Sequence, residues 1–367
     1  MAGSIKFELL SECPYTGARR GRMHTPHGTV ETPAFMPVGT QGTVKTLGSE
    51  DLERLGFELI LSNTYHLALR PGSELIERLG GLGKFMSWKG PILTDSGGYQ
   101  VMSLSKMRKI DDEGVTFRSH LDGSQMHLTP ERSIQIQAQL GVDISMVLDE
   151  CPPYPCTYDE AASAMKRTHA WARRSLSAAR GTQGVFAIVQ GGVHEDLRRE
   201  SAAYISELEC DGCAIGGVSV GEPTEMQHPV VALTAPLLPK HKPRYLMGVG
   251  HPGDIIHAVA SGIDLFDCVL PTRMARHHAL YTLHGRVNVL RKEFEDYEGP
   301  VDEGSVFPET ERYSAAYMRH LFKAGETLGP RLATLHNLRF YARLMQEIRD
   351  AIQNGSWPQL VERYAKA

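Results

Sequence analysis

Several things are scarce in this chain of 367 residues. No apolar run reaches the ~18 residues that a membrane-spanning helix needs. The first ten residues, MAGSIKFELL, hold no long apolar core, so no export signal is expected and the cytoplasm is the expected compartment. Six cysteines are too few for a disulfide scaffold and fit a chain with reduced thiols. A net charge of only −4 argues against a protein coated in nucleic acid, while leaving room for a local basic patch. The G-x-G-x-x-G fingerprint of an open, doubly wound nucleotide-binding sheet does not follow the first apolar run.

What is present is a rhythm. Short apolar runs end in Gly, Asn, Asp or Gln. They occupy 34–39, 58–63, 91–98, 144–150, 185–192, 212–219, 244–250 and 265–271. Helical spacing marks 49–55, 130–140, 158–180, 194–208, 224–236 and 252–262, with Thr129 or Ser49 as candidate N-caps. Continuously apolar strands alternating with helices indicate a parallel sheet covered on its outer face. Eight such units predict a (β/α)₈ barrel of the TIM type.

The stretch IDLFDCVLPTRMAR (263–276) is the anomaly around which the rest is organised. Asp264 and Asp267 sit in or beside a buried strand, where a carboxylate must find a partner or a task. Arg273 and Arg276 follow at once, which suits a substrate carrying phosphate. Active sites of these barrels lie at the C-terminal ends of the strands. Those ends carry Asn63, Asp95 with Ser96, Asp149 with Glu150, Gln190, Gly216–Gly217, Gly248 and Asp267. Gly97–Gly98, Gly191–Gly192 and Gly216–Gly217 each follow a strand directly. Either they are ordinary tight turns or they let a flat ligand approach the backbone.

TDSGGYQVMSL (94–104), LDECPP (148–153), VQGG (189–192), GGVSVGE (216–222), YLMGVG (245–250) and GIDLFDCVLPTR (262–273) resemble the tRNA-guanine transglycosylase family in its bacterial form. The likeness runs from about Phe7 to His336. It implies a (β/α)₈ barrel with insertions and a C-terminal helical subdomain. It also implies exchange of guanine at the anticodon wobble position of GUN tRNAs for a 7-deazaguanine, in queuosine biosynthesis. One catalytic domain over 1–367 is expected, with an embedded subdomain at about 290–345. By resemblance Asp267 is the nucleophile and Asp95 the general acid/base. Ser96, Asp149, Gln190 and Gly217 bind the base, Tyr99 and Met247 sandwich it, and Arg273 and Arg276 contact tRNA. A carboxylate such as Asp149 accepts from both N1–H and the exocyclic amine of guanine.

The chain departs from the family at its zinc site. Ser305, Phe307 and Thr310 stand where three cysteines are expected, and only His336 remains of the ligand set. Ser, Phe and Thr supply no thiolate, so no zinc and no other cofactor is expected. Cys210 and Cys213, with no second pair nearby, read as buried structural residues. The resemblance implies a homodimer. Val220 and Cys151 follow the bacterial pattern, which implies 7-aminomethyl-7-deazaguanine rather than the bulkier queuine as incoming base. The alternatives are a queuine-preferring enzyme, or a non-catalytic tRNA-binding subunit of the same fold. The latter would be expected to have lost Asp95, Asp149, Gln190 or Asp267.

Overall fold

The computed structural model describes residues 5–104, 108–179, 181, 183–302 and 312–367. Three antiparallel strands come first: β1 (Lys6–Glu12), β2 (Arg19–Thr25) and β3 (Gly28–Thr32). The next strand is cut by Pro37 into β4 (Ala34–Met36) and β5 (Val38–Gly39). β6 (Ile60–Ser62) and β7 (Ile92–Thr94) follow. An antiparallel insertion of β8 (Arg108–Asp111), β9 (Gly114–Arg118) and β10 (Gln125–Leu128) comes before the chain resumes the main sheet. β11 (Ile144–Met146), β12 (Gly184–Val189), β13 (Gly212–Ile215), β14 (Arg244–Leu246) and β15 (Leu265–Asp267) complete that sheet.

The order in space is β4-β15-β14-β13-β12-β11-β7-β6-β5, parallel throughout. A proline lacks the N–H that a ladder needs. Here the chain steps at Pro37, so β4 pairs with β15 while β5 pairs with β6. Two halves of one strand therefore close the barrel, and the open doubly wound sheet is excluded. All eight apolar runs supply barrel strands. Every residue of β12 is buried, as a parallel strand covered on both faces requires.

Helices Ser49–Leu55, Pro130–Leu140, Tyr158–Ala178, Glu195–Ser206, Thr224–Thr234 and Pro252–Ala260 stand where the apolar spacing placed them, several ending a little earlier. Thr129 is an N-cap, its hydroxyl accepting from Arg132 N at 3.1 Å. Ser49 is not one. Gly48 holds the cap position, Asp51 accepts from Gly48 N at 3.0 Å, and Ser49 Oγ donates to Met86 O. None of the described helices is long and apolar enough to cross a membrane.

The bottom of the barrel, at the N-terminal strand ends, is tied by charge. Arg19 on β2 donates from Nε to Asp264 Oδ1 at 2.9 Å and from Nη2 to Oδ2 at 2.5 Å. Its other bonds go to the carbonyls of Lys240 and Lys242, both at 2.7 Å. Asp143 accepts from the backbone N–H groups of His27 and Ile92, each at 3.0 Å. At the other end of the chain lie a hairpin, β16 (Ala279–Thr282) and β17 (Gly285–Asn288), and helices Ala315–Ala324, Leu328–Asn354 and Trp357–Arg363. Leu280, Val289, Met318, Leu321 and Leu332 form a small core of their own there. The long helix is pinned to the barrel by Arg349 Nη1 to Pro33 O at 2.8 Å, and by Arg331 to both oxygens of Asp51.

Candidate active site

The C-terminal strand ends surround a cavity of about 450 Å³. Asp95 and Ser96 after β7, Asp149 and Cys151 after β11, and Gly217 and Val220 after β13 line it. So do Met247, Asp267, Tyr99 and the rim residue Arg273. Sequence-distant segments thus meet in one hollow because parallel strands deliver all their C-terminal ends to the same face. Gln190 does not line the cavity. It is fully buried behind Asp149, to whose Oδ2 its Nε2 donates at 2.8 Å.

Three carboxylates share this space, and their partners are neutral. Asp95 Oδ2 accepts from Asn63 Nδ2 at 2.5 Å, and Oδ1 accepts from the amides of Thr64 and Gly97 at 3.1 Å each. Burial pushes Asp95 up to about 7, and the charges of Asp267 and Asp149 add to this against the pull of the Thr64 amide. Burial pushes Asp149 up to about 6, opposed by the bond from Gln190. Asp267 is also raised by burial, and is opposed by two donors on Oδ1: Tyr245 OH at 2.5 Å and Gly248 N at 2.8 Å. No donor among the described residues reaches its Oδ2. Burial and the neighbouring Asp267 hold Tyr245 far above the ordinary phenol range, so it stays a donor.

The glycine pair after β13 is there for space. A Cβ on Gly217 would lie 2.3 Å from Gln190 Oε1, and one on Gly216 would lie 2.7 Å from Ile188 Cγ2. Gly217 also has φ +64, which favours glycine. These glycines therefore admit Gln190 beneath the floor as well as leaving the floor itself open. The loop beyond them is held by Glu222, whose carboxylate accepts from Ser219 N and, at 2.9 Å, from Val220 N. Glu222 and Tyr245 were not singled out from sequence, although both fall inside the quoted motifs GGVSVGE and YLMGVG. Asn63 was noted only as a strand-end residue. Its link to Asp95 became visible only with the fold.

Tyr99, half exposed, and Met247 stand on the cavity wall. Burial pushes the Cys151 thiol up to about 12, so it is a neutral wall residue. Tyr99, Cys151 and Val220 also border a neighbouring hollow of about 410 Å³. Cys268, beside the acid, is likewise pushed up to about 12 by burial and by Asp267, which argues against a thiolate nucleophile. Arg273 and Arg276 lie on the helix Leu270–Arg276 that follows β15. Arg276 donates to Thr272 O at 2.8 Å, and burial and the charge of Arg273 lower its pKa. The described residues offer neither arginine a carboxylate partner.

Of the family's zinc position, only His336 lies among the described residues. Ser305, Phe307 and Thr310 lie outside the described residues. His336 is buried, and its Nε2 donates to Tyr281 O at 2.8 Å, as a satisfied core histidine does. No group of three or more His, Cys, Asp or Glu able to hold a metal occurs among the described residues. Cys210 and Cys213 are buried, with Lys242 Nζ 3.6 Å from the Cys210 sulfur.

The family model for queuine tRNA-ribosyltransferase matches residues 13–367. A protein of that name from Bacillus subtilis is 52% identical over 351 residues, covering 95% of this chain and 92% of its own. One from Herpetosiphon aurantiacus is 54% identical over 346 residues, covering 94% and 88%. One from Desulforudis audaxviator is 51% identical over 365 residues, covering 99% and 98%. With a closed parallel barrel, and three carboxylates gathered at its C-terminal face, the chain belongs to the queuine tRNA-ribosyltransferase family, a family of transferase enzymes.

Proposed function

We propose that the chain exchanges guanine at the wobble position of GUN-anticodon tRNAs for a 7-deazaguanine, through a covalent ester on Asp267. The observation that carries this is the pairing of Asp267 with Asp95 in one cavity. Asp267 has one oxygen tied by Tyr245 and Gly248, and its other oxygen attacks the ribose anomeric carbon. The bond from that carbon to guanine breaks, and Asp95 gives the leaving base a proton. A carboxyl held near 7 can donate and accept at neutral pH. The incoming base then loses its proton to Asp95 and attacks the same carbon, releasing the Asp267 carboxylate. Two displacements return the original stereochemistry, as in retaining glycosidases.

Asp149, oriented by Gln190, accepts from the edge of the base, with Ser96 and the Gly217 backbone beside it. Tyr99 and Met247 hold the ring. The base must leave the anticodon loop to enter the pocket, and Arg273 and Arg276 position the phosphates around it. The non-catalytic alternative finds no support, since Asp95, Asp149, Gln190 and Asp267 are all present.

The relatives carry queuine in their names. For this chain we infer a preference for 7-aminomethyl-7-deazaguanine, because Val220 and Cys151, which line both hollows, follow the bacterial pattern. The protein acts in the cytoplasm as a homodimer and carries no zinc at the family position, since Ser305, Phe307 and Thr310 offer no thiolate. Exposed Tyr317 and His320, stacked in line with the half-buried Tyr313, support the dimer. The test is incorporation of radiolabelled guanine into GUN tRNA, with a denaturing gel to trap the adduct. Exchange and an adduct are expected from the wild type. An adduct that persists in Asp267→Ala would remove Asp267 from its role.

A further inference from the structure

Arg198, on the helix Glu195–Ser206, is fully buried directly beneath the cavity floor. A buried guanidinium is costly unless its donors are used. The described residues include no carboxylate in an ion pair with it. Four backbone carbonyls take its donors instead. Nε donates to Gly192 O at 2.8 Å, and Nη1 to Val189 O at 3.1 Å and to Gly216 O at 2.8 Å. Nη2 donates to Gly217 O at 3.1 Å. The fork therefore spans two strand-end loops, one after β12 and one after β13. Burial lowers its pKa to about 10, which leaves it charged at neutral pH.

The direction of those carbonyls has a consequence on their other side. Both peptides are trans, and in a trans peptide the N–H points opposite to the C=O. With the carbonyls of Gly216 and Gly217 turned onto Arg198, the N–H groups of Gly217 and Val218 are turned away from it. Gly217 and Val218 both line the cavity. No protein oxygen among the described residues accepts from either amide; the Gly217 amide lies against the Cys151 sulfur on the cavity wall, a weak acceptor that a ligand oxygen displaces. A cation on the carbonyl end also polarises a peptide and strengthens its N–H as a donor.

We infer that Arg198 is a positioning residue, which aims the amides of Gly217 and Val218 into the cavity as paired donors for the carbonyl oxygen of the bound base. This rests on the base-exchange reading and on the Gly217 backbone as a base-binding position; what it adds is the role of Arg198 in fixing that backbone. The amides stay fixed because the guanidinium is planar and reaches all four carbonyls, which a lysine cannot do.

Direct calorimetric titration with two probes tests it without relying on turnover. One is 7-deazaguanine; the other is 2-amino-7-deazapurine, which lacks the oxygen. In Arg198→Lys the Kd of 7-deazaguanine should rise about tenfold, the scale of one lost hydrogen bond, while the Kd of 2-amino-7-deazapurine stays put. An equal rise for both bases, or none for either, overturns the proposal. Arg198→Gln serves the same purpose should the lysine variant fail to fold. Amide hydrogen exchange on the wild type stands beside these variants. Gly217 and Val218 should slow when 7-deazaguanine binds and not when 2-amino-7-deazapurine does, and unslowed amides overturn the proposal. A wild type that shows this protection but exchanges no guanine into tRNA would sink the proposed reaction and support the role of Arg198.

Discussion

Asp264 and Asp267 are three residues apart, at opposite ends of the chain's eighth barrel strand, and the barrel treats them oppositely. Asp264, at the N-terminal end of β15, receives the Arg19 guanidinium and the Arg244 amide. Asp267, at the C-terminal end, receives a phenol and one amide and meets no cation among the described residues. The same division holds around the barrel. Asp143 at the bottom is saturated by His27 and Ile92, while Asp95 and Asp149 at the top are raised to about 7 and about 6. At the bottom, burial raises Asp264 too, but the charge of Arg19 and the bonds from Arg19 and Arg244 oppose it, and these carboxylates hold strands together. Those at the top are left partly uncompensated, so they stay available for proton and carbon chemistry.

The largest expected effect breaks the top. Asp267→Asn should lower guanine exchange by on the order of 10⁴-fold or more, as loss of a nucleophile does. Its melting temperature should hold, measured by calorimetry beside the radiolabel assay. Unfolding on this substitution would show Asp267 to be another Asp264. The converse breaks the bottom. Arg19→Met leaves Asp264 buried and unpaired, which should cost about 3–5 kcal/mol in urea unfolding. Exchange per folded molecule should survive.

A third test uses pH. The folded pKa of Asp95 is about 7 against an ordinary 3.8, so the native state binds the proton more tightly. Its contribution to stability is therefore complete below the ordinary value and is lost as pH rises through about 7. Asp95→Asn should flatten the fall in stability between pH 4 and 8, by at most about 4 kcal/mol for a shift of about three units. Exchange by the wild type should also decline above about 7, where Asp95 can no longer protonate the leaving base. Unfolding curves with the same pH slope in both proteins would contradict the assignment.

Smaller effects sharpen the contrast. Val220→Gly at the top wall should shift the ratio of kcat/KM towards queuine by roughly tenfold to a hundredfold, with the melting curve little changed. The smallest is a chelator. If the C-terminal region holds no zinc, a strong chelator leaves Tm unchanged and elemental analysis finds less than one equivalent. One equivalent lost together with stability would show other ligands in use.

Much of this was legible in the chain. The eight apolar runs named the eight strand positions, because burial on both faces of a parallel sheet leaves no polar alternation. Their polar endings named Asp95, Asp149 and Asp267 as companions, because a barrel brings all C-terminal strand ends to one rim. The three-stranded insertion β8–β10 and the sheet β1–β3 were not read, since their mixed polar and apolar residues carry no sustained period.

Strand positions and the gathering of acids at one rim were thus set by local residue order alone, since apolar periodicity is a property of neighbours in sequence. Partnership was decided by the tertiary structure. Nothing near Asp264 in sequence announces Arg19, which lies 245 residues away. The chain order does not show that Pro37 splits a strand so that its halves close the barrel, nor that Gln190 sits behind Asp149 rather than in the cavity. Burial, ion pairing and the pKa shifts that follow depend on which distant groups share a low-dielectric space, and only the closed barrel specifies that.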